Sequence, residues 1–359
     1  MTGRERVLTA LRREQPDRTP FDFLLGFTPY QAERLRERAG TPDPNEYFQT
    51  DARSVSIGPS RAPNDYRRYH PDLPPRASID EWGVGHLPTE SDDPRHSHLD
   101  GYLYPLRAGA TETTAWGYPL PDIDAPYRYE GLAATVSALH MRGLAVVGAM
   151  ACTLFEHLWQ LRSMEGLLAD FADEAPFATI MLDRIMEKRR IQARNLALAG
   201  VDVLMTGDDV STQRGMLMSP AMWRRWLKPR LASVIAAAKD ARPGILILYH
   251  SDGDPTAIIE DLVEIGVDVL NPLQPECMDT LSVKQRWGAR LSFWGALGTQ
   301  SNLPWGTPED VRNEVYERIS AVGKGGGLVL APTHTIEPEV PWENIVAFVE
   351  AVRGAAARA

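Results

Sequence analysis

The sequence has 359 residues, 43% of them hydrophobic and 24% charged, and a formal net charge of −10 at pH 7. This composition excludes wholesale disorder. The negative balance also excludes a dedicated nucleic-acid-binding protein, which would need clustered Lys and Arg side chains.

The predicted elements begin with an amphipathic helix over residues 2–13 and a buried strand over residues 19–25. Residues 28–126 are rich in Pro and Gly and have few clean periods, so we interpret them as elaborated loops with short helices and hairpins. From residue 127 onward, apolar strands and helices alternate regularly. The predicted strands cover residues 144–150, 202–205, 245–249, 267–270, 291–294 and 328–331. The predicted helices cover residues 130–141, 153–170, 174–199, 220–240, 255–265, 279–287 and 308–322.

This alternation predicts a parallel sheet covered by helices, because continuously apolar strands are typical of sheets buried on both faces. Together with one or two strands in the elaborated region, the pattern predicts an α/β (β/α)8 TIM barrel with elaborated N-terminal loops. We expect one barrel domain over residues 1–359. An open, doubly wound sheet is the alternative, and it is weakened because no Gly-x-Gly-x-x-Gly follows the first strand.

Polar side chains follow the predicted strands, which in a barrel brings them together at one mouth. Asp208, Asp209 and Asp252 are the predicted catalytic acids, because adjacent carboxyl groups at a barrel mouth can carry out acid–base work. Capping of the turn after the strand is the structural alternative for the first two. The predicted substrate-binding residues are Asn271, Gln274, Gln300, Glu156 and His157.

Two histidines and a cysteine form a candidate metal set. His250 follows the strand 245–249, His334 follows the last strand, and Cys277 lies in a loop between them. Two imidazoles and one thiolate suit Zn²⁺ and leave a fourth position open. Glu276 and Asp252 are possible substitutes for the thiol. The alternative interpretations are a hydrogen-bonded structural His250 and a buried, unreactive Cys277.

The two cysteines, Cys152 and Cys277, exclude a disulfide framework and favour a reducing compartment. No apolar signal segment follows Met1, and no apolar run approaches the roughly 18 residues of a membrane helix. We therefore expect a cytoplasmic protein without a membrane partner.

Several sequence blocks resemble the uroporphyrinogen decarboxylase superfamily, which includes corrinoid-dependent methyltransferases. The resemblance extends over nearly the whole chain and implies the same barrel. The blocks are Arg4-Glu5-Arg6-Val7-Leu8, Pro16-Asp17-Arg18-Thr19-Pro20, His250-Ser251-Asp252-Gly253, Asn271-Pro272-Leu273-Gln274-Pro275, Phe293-Trp294-Gly295, Ala331-Pro332 with His334, and Glu343-Asn344-Ile345.

The superfamily contains branches that catalyse different reactions, so the reaction that the resemblance implies depends on the branch. Porphyrinogen decarboxylases carry an arginine-rich N-terminal segment that binds the substrate's carboxylates, whereas residues 21–27 contain no arginine here. The zinc methyltransferases that act on coenzyme M have a His-x-Cys and a later Cys. The equivalent positions here are His250, Asp252 and His334, so only the first ligand type is retained.

These comparisons imply a zinc-dependent methyltransferase that moves a methyl group from a small methoxy substrate to a corrinoid on a separate partner protein. A carboxy-lyase acting on a small acid through Asp208 or Asp209 is the second hypothesis. A non-catalytic tetrapyrrole- or corrinoid-binding protein is the third. Pairing of two barrels into a homodimer is compatible with each hypothesis.

Overall fold

The computed structural model describes residues 1–91, 93–96, 100–107 and 110–355. Its centre is a seven-stranded sheet in which every neighbouring pair of strands is parallel. The spatial order of its strands is β1 (Ala52–Val55), β5 (Ala145–Ala149), β6 (Val203–Gly207), β9 (Leu246–His250), β10 (Val269–Asn271), β11 (Ser292–Leu297) and β12 (Leu328–Pro332).

Two small antiparallel sheets accompany the central sheet. One contains β2 (Ser78–Ile79), β3 (Gly85–Pro88) and β4 (Asp100–Leu103), and the other is the hairpin of β7 (Ser211–Thr212) and β8 (Gly215–Met216). The first lies within the region predicted as elaborated loops. The hairpin follows β6.

The segment before β1 lies between the two edges of the curled central sheet. Phe21 forms an isolated parallel bridge with Leu330 of β12, and its carbonyl accepts a hydrogen bond from the Asp51 amide at 3.2 Å. The strand predicted over residues 19–25 is therefore replaced, in the described structure, by a single isolated bridge at Phe21. Pro20 has no N–H to donate to a ladder. The Phe21 N–H is bound at 3.0 Å by the Asp51 carboxylate instead of a backbone carbonyl.

Helices pack around the sheet. They are α1 (Gly3–Leu11), α2 (Pro29–Ala39), α3 (Pro44–Tyr47), α4 (Glu112–Gly117), α5 (Leu132–Met141), α6 (Phe155–Arg162), α7 (Met164–Ala172), α8 (Pro176–Ala199), α9 (Pro220–Trp226), α10 (Lys228–Ala241), α11 (Ile259–Glu264), α12 (Thr280–Trp287), α13 (Asn302–Trp305), α14 (Pro308–Ala321) and α15 (Trp342–Ala355).

Two helices predicted as continuous are interrupted. The helix predicted over residues 153–170 breaks at Ser163, which has a positive φ of 88° and caps α7 by accepting the Gly166 N–H. The helix predicted over residues 220–240 divides at Leu227, just before Lys228 and Pro229. Inside a continuous helix Pro229 would remove one intrahelical hydrogen bond, whereas in the first turn of a new helix its missing N–H has no partner to lose.

Side chains on alternate positions of the strands fill the interior of the curled sheet. Val203, Leu248, Val269, Trp294 and Val329 belong to this buried interior cluster. Because side chains alternate along a strand, His250 lies on the same face of β9 as Leu248. His250 is the last residue of β9, so its side chain lies on the interior face at the carboxyl end of the strand.

Among the described residues, no helix has both the length and the apolar content needed to cross a membrane.

Candidate active site

Three of the predicted site residues converge at the carboxyl ends of β6 and β9. One ligating atom each from Asp209, His250 and Asp252 can be chosen so that all three lie within 4.8 Å of one another. The Nε2 atom of His250 is 3.8 Å from Oδ1 of Asp209 and 3.8 Å from Oδ1 of Asp252. The Asp252 amide donates to Asp209 Oδ1 at 2.8 Å, which joins the two loops.

Asn271 determines which nitrogen of His250 faces the two carboxylates. The Asn271 amide nitrogen donates to the Trp294 carbonyl at 2.9 Å, so its Oδ1 is the atom turned toward His250. His250 Nδ1 lies 2.6 Å from that oxygen and must donate to it. The proton of the neutral ring is therefore on Nδ1, and the Nε2 lone pair points at the acidic group.

An imidazole lone pair directed at two carboxylates is unfavourable, and either a proton on Nε2 or a cation bound among the three groups relieves it. Zinc binds donors of these kinds, a His nitrogen and carboxylate oxygens, at about 2.0 Å each. Two donors on a tetrahedral ion at that distance are about 3.3 Å apart, close to the 3.8 Å from His250 to each carboxylate. The donor set therefore fits a divalent cation.

Gly207 makes the approach of β6 to β9 possible. Its φ is +146°, and a Cβ atom placed on it would lie 2.1 Å from the His250 carbonyl oxygen. Contacts below 3.0 Å with backbone cannot be relieved by a side-chain movement. The His250 main chain can occupy its position only because residue 207 is a glycine and has no side chain.

The other proposed metal ligands are placed differently. His334, 45% exposed, has its Nε2 3.6 Å from Asp252 Oδ2, so it lies at the edge of the acidic group. Cys277 directs its sulfur to the Gln274 carbonyl at 3.7 Å, and burial raises the pKa of its thiol to about 11. Glu276 accepts hydrogen bonds from the Gln300 amide and the Ser301 hydroxyl after β11. Among the described residues, the group within 4.8 Å includes none of these three.

The buried carboxyl group of Asp208 and the partly buried one of Glu156 lie directly beside the acidic group. Asp208 accepts the backbone N–H groups of Leu154 and Glu156, and burial raises its pKa to about 7. Glu156 accepts the Asp209 N–H at 3.0 Å. Burial, followed by the charges of Asp209 and Asp208, raises the pKa of Glu156 to about 8. The structure thus joins the predicted acid Asp208 to a residue predicted to bind substrate.

His157 lies behind this pair and not at the mouth. Its ring stacks on Trp82 at a centroid distance of 3.9 Å and contacts the buried guanidinium of Arg189. Burial, and then the charge of Arg189, lowers the pKa of His157 well below its usual value, so the ring is neutral. Arg189 also donates to the Cys152 carbonyl at 3.1 Å, which supports the loop before α6.

The predicted substrate-binding amides mainly contact the protein. Gln274 Oε1 accepts the Gly253 N–H at 3.0 Å, so it supports the loop that carries Asp252. Gln300 is exposed and contacts Gln213 of the β7–β8 hairpin. The positioning roles of Asn271 and Arg189 were not predicted. The sequence feature that could have predicted the role of Asn271 is its position at the end of β10, the strand next to β9.

We expect Asn271→Leu to weaken Co²⁺ binding about 10- to 100-fold, because loss of a residue that orients a ligand histidine has effects of that size. Titration of the metal-free protein with Co²⁺, followed by visible absorption, measures the affinity. Asn313→Leu, at an exposed position of α14, is the matched control. Unchanged affinity in a folded Asn271→Leu protein would contradict the orienting role.

Comparison with known proteins places this site in a family. Residues 117–355 match the model described as uroporphyrinogen decarboxylase (URO-D). The chain is 28% identical to a uroporphyrinogen decarboxylase of Coxiella burnetii, over 43% of this chain and 41% of that protein. It is 29% identical to the methylcobamide:CoM methyltransferase MtaA of Methanosarcina barkeri, over 47% of each chain. These alignments thus span less than half the length of either relative.

Two further comparisons extend over almost the whole chain. A uroporphyrinogen decarboxylase of Legionella pneumophila is 24% identical over 96% of this chain and 95% of that protein. The solved structure of a methyltransferase from Methanosarcina mazei superimposes with a TM-score of 0.69, at 19% identity and 99% coverage of both chains, which shows a shared fold. With the family model covering residues 117–355, the chain belongs to the uroporphyrinogen decarboxylase (URO-D) family.

Proposed function

We propose that this protein is a metal-dependent methyltransferase that takes a methyl group from a small methoxy compound, with a corrinoid on a separate protein as the acceptor. The observation that carries the proposal is the group of Asp209, His250 and Asp252, with ligating atoms within 4.8 Å of one another. The resemblance to an enzyme named as a methylcobamide:CoM methyltransferase supports the same choice.

In this proposal Asp209, His250 and Asp252 hold a divalent cation, with zinc as the first candidate. When bound, the metal ion supplies a Lewis acid for the oxygen that the methyl group leaves, and the partner's reduced corrinoid supplies the nucleophile. The two carboxylates balance the charge of the cation. Asn271 accepts from Nδ1 of His250 and so directs the Nε2 atom at the site.

The remaining residues keep these groups in place. Gln274 supports the Asp252 loop through the Gly253 N–H, and Glu156 holds the Asp209 amide. Main-chain contacts of this kind fix the carboxylates before substrate binds, so their reorganisation costs little during the reaction. His334 stands at the exposed edge, where it can face a substrate.

A carboxy-lyase remains the second candidate, favoured by the raised pKa values of the neighbouring carboxyl groups of Asp208 and Glu156. Either could hold the proton that replaces CO₂ on the product. We expect a porphyrinogen to be a poor substrate, because its carboxylates need cationic partners. Residues 21–27 contain no arginine, and their one ionisable side chain, Asp22, is acidic and buried.

The metal content of the purified protein tests whether Asp209, His250 and Asp252 form a metal site. We expect about one zinc ion per chain in protein purified without chelators, because three protein donors form a complete catalytic zinc set. His250→Ala and Asp209→Ala should lose it, and Cys277→Ala should retain it as the matched control. Absence of metal after zinc is supplied would contradict the metal site. Loss of zinc from the Cys277→Ala variant would show that the thiol is one of the ligands.

Product analysis separates the two activities. The metal-loaded protein is incubated with cob(I)alamin and 2-methoxyphenol, and in parallel with 2-methoxybenzoate. Release of catechol that requires the cobalamin supports methyl transfer. Release of CO₂ without cobalamin would favour the carboxy-lyase.

A further inference from the structure

The β7–β8 hairpin crosses part of the mouth formed by the carboxyl ends of the sheet strands. It follows β6, and its first strand contacts the loop after β9, the neighbour of β6 in the sheet. The Ser211 hydroxyl donates to the Asp252 carbonyl at 2.7 Å, and the Asp254 amide donates to the Thr212 carbonyl at 2.9 Å. The base of the hairpin is therefore joined to the loop that carries Asp252.

Gly253 allows the hairpin to lie this close to the loop. Its φ is +88°, and a Cβ atom placed on it would lie 2.5 Å from the Thr212 carbonyl oxygen. The hairpin can follow its course over the loop only because residue 253 has no side chain.

The tip of the hairpin reaches further around the sheet. The side-chain amide of Gln213 donates to the side-chain oxygen of Gln300, which lies in the loop after β11. Since β9 and β10 lie between β6 and β11, the hairpin spans the carboxyl ends of two strands. Residues 211–216 are named the strap below, and the contact between Gln213 and Gln300 is named the latch.

The two ends of the strap are held by contacts of different kinds. At the base, Ser211 is buried, and the bond from the Asp254 amide is a main-chain bond. At the tip, the latch joins two exposed amide side chains. A hydrogen bond between exposed groups is exchanged readily for bonds to water, so its net contribution is small. The tip is therefore the end at which the strap opens first.

The loop after β10 lies between the two places where the strap is held. Gln274 accepts the Gly253 amide at 3.0 Å on one side, and Glu276 accepts the Gln300 amide at 3.0 Å on the other. Burial, and then the charge of Asp254, raises the pKa of the Cys277 thiol, which places this thiol near the base of the strap. Cys277 is therefore a native reporter of access to the space that the strap crosses.

We propose that the strap is a gate on this side of the mouth, which small molecules pass while the latch is intact and bulky groups pass only when the latch is open. The side chains of Asp209 and Asp252 are 40% and 33% exposed, so the closed strap leaves an opening to the acidic group. In the proposed function the methoxy compound is the small molecule and the corrinoid is the bulky group. That consequence rests on the proposed function, whereas the gate itself does not.

Near-isosteric variants separate loss of the latch from a change of charge. Gln213→Glu and Gln300→Glu each leave one amide donor and one carboxylate acceptor, so each single variant retains the means to form the hydrogen bond. The double variant has two carboxylates, which have no donor between them and repel each other. The strap should therefore open more often in the double variant, and the two single variants are the matched controls.

Labelling of Cys277 measures access. Each protein is treated with N-ethylmaleimide, which is small, or with N-(1-pyrenyl)maleimide, which is bulky; both are uncharged, and mass spectrometry of the peptide that contains Cys277 gives each rate. A change in the thiolate fraction affects both reagents alike, so the ratio of the bulky to the small rate reports access. We expect this ratio to rise about two- to fivefold in the double variant, the range for exposed charge pairs, and to stay at the wild-type value in each single variant.

Amide hydrogen exchange over residues 208–218 gives a second readout, which should be faster in the double variant than in wild type. Melting curves establish that each variant is folded. An unchanged labelling ratio or unchanged exchange in the double variant would overturn the gate, and so would an equal rise in a single variant. Failure of the proposed function looks different, because demethylation with cob(I)alamin would be absent while the labelling ratio still responded to the latch.

Discussion

Replacing Asp51 by alanine should lower the free energy of unfolding by about 3–5 kcal/mol, the cost of removing one partner from a buried ion pair. The Asp51 side chain is 3% exposed and accepts from Arg6 at 2.6 Å and from Arg18 at 2.8 Å. It also binds the Phe21 N–H at the junction of the sheet edges. Without it, two guanidinium groups each lose a buried carboxylate acceptor, and the Phe21 N–H loses the same partner.

Urea unfolding measures this loss, and Asp17→Ala is the matched control. Asp17 pairs with the same Arg6 at 2.6 Å, but its side chain is 40% exposed. Exposed ion pairs contribute about 0–1 kcal/mol, so the control should lose far less. A similar loss in the two variants would show that the junction does not depend on Asp51.

Replacing Asp22 by asparagine should stabilise the protein at pH 8 by up to about 4 kcal/mol. Burial raises the pKa of Asp22 from 3.8 to about 7, even though the Trp294 indole donates to it at 2.9 Å. Each unit of difference corresponds to about 1.4 kcal/mol. Asparagine keeps an acceptor for Trp294 and does not ionise.

The sign follows from proton uptake. Between about pH 4 and 7 the folded protein holds a proton on Asp22 that the unfolded chain has released, so the wild type loses stability as pH rises through this window. Above about pH 7 the full cost is present, and below about pH 4 it disappears. Unfolding measured at pH 4, 6 and 8 should therefore show a gain in Asp22→Asn that grows with pH. Asp183→Asn, at a half-exposed pair with Arg230, should show no such trend. A gain independent of pH would contradict ionisation of Asp22 as its cause.

Most of the sheet could be predicted from the sequence, because its strands are short, continuously apolar runs separated by helices. Residues 245–249 were predicted as a strand, and β9 covers Leu246–His250. The same pattern failed near Phe21, where the residues are equally apolar. There the absence of a regular strand depends on Pro20 and on the Asp51 side chain. A pattern of hydrophobic residues contains no information about either of them.

The candidate site could be predicted as a set of strand-end residues, but not as a set of contacts. Asn271 and His250 are register partners on β10 and β9, and this pairing gives Asn271 its orienting contact. Register between strands is a tertiary property that the order of residues does not determine. For the same reason Cys277 was grouped with His250, although in the structure its sulfur turns back to the Gln274 carbonyl.

Gly207 limits how the site can be redesigned. The His250 carbonyl occupies the space that any side chain at position 207 would need. A designer who changes the acids to accept another substrate can alter the chemistry while β6 and β9 stay in place. A change at Gly207 would instead move the backbone under His250, so library mutagenesis should leave this position fixed whatever activity is sought.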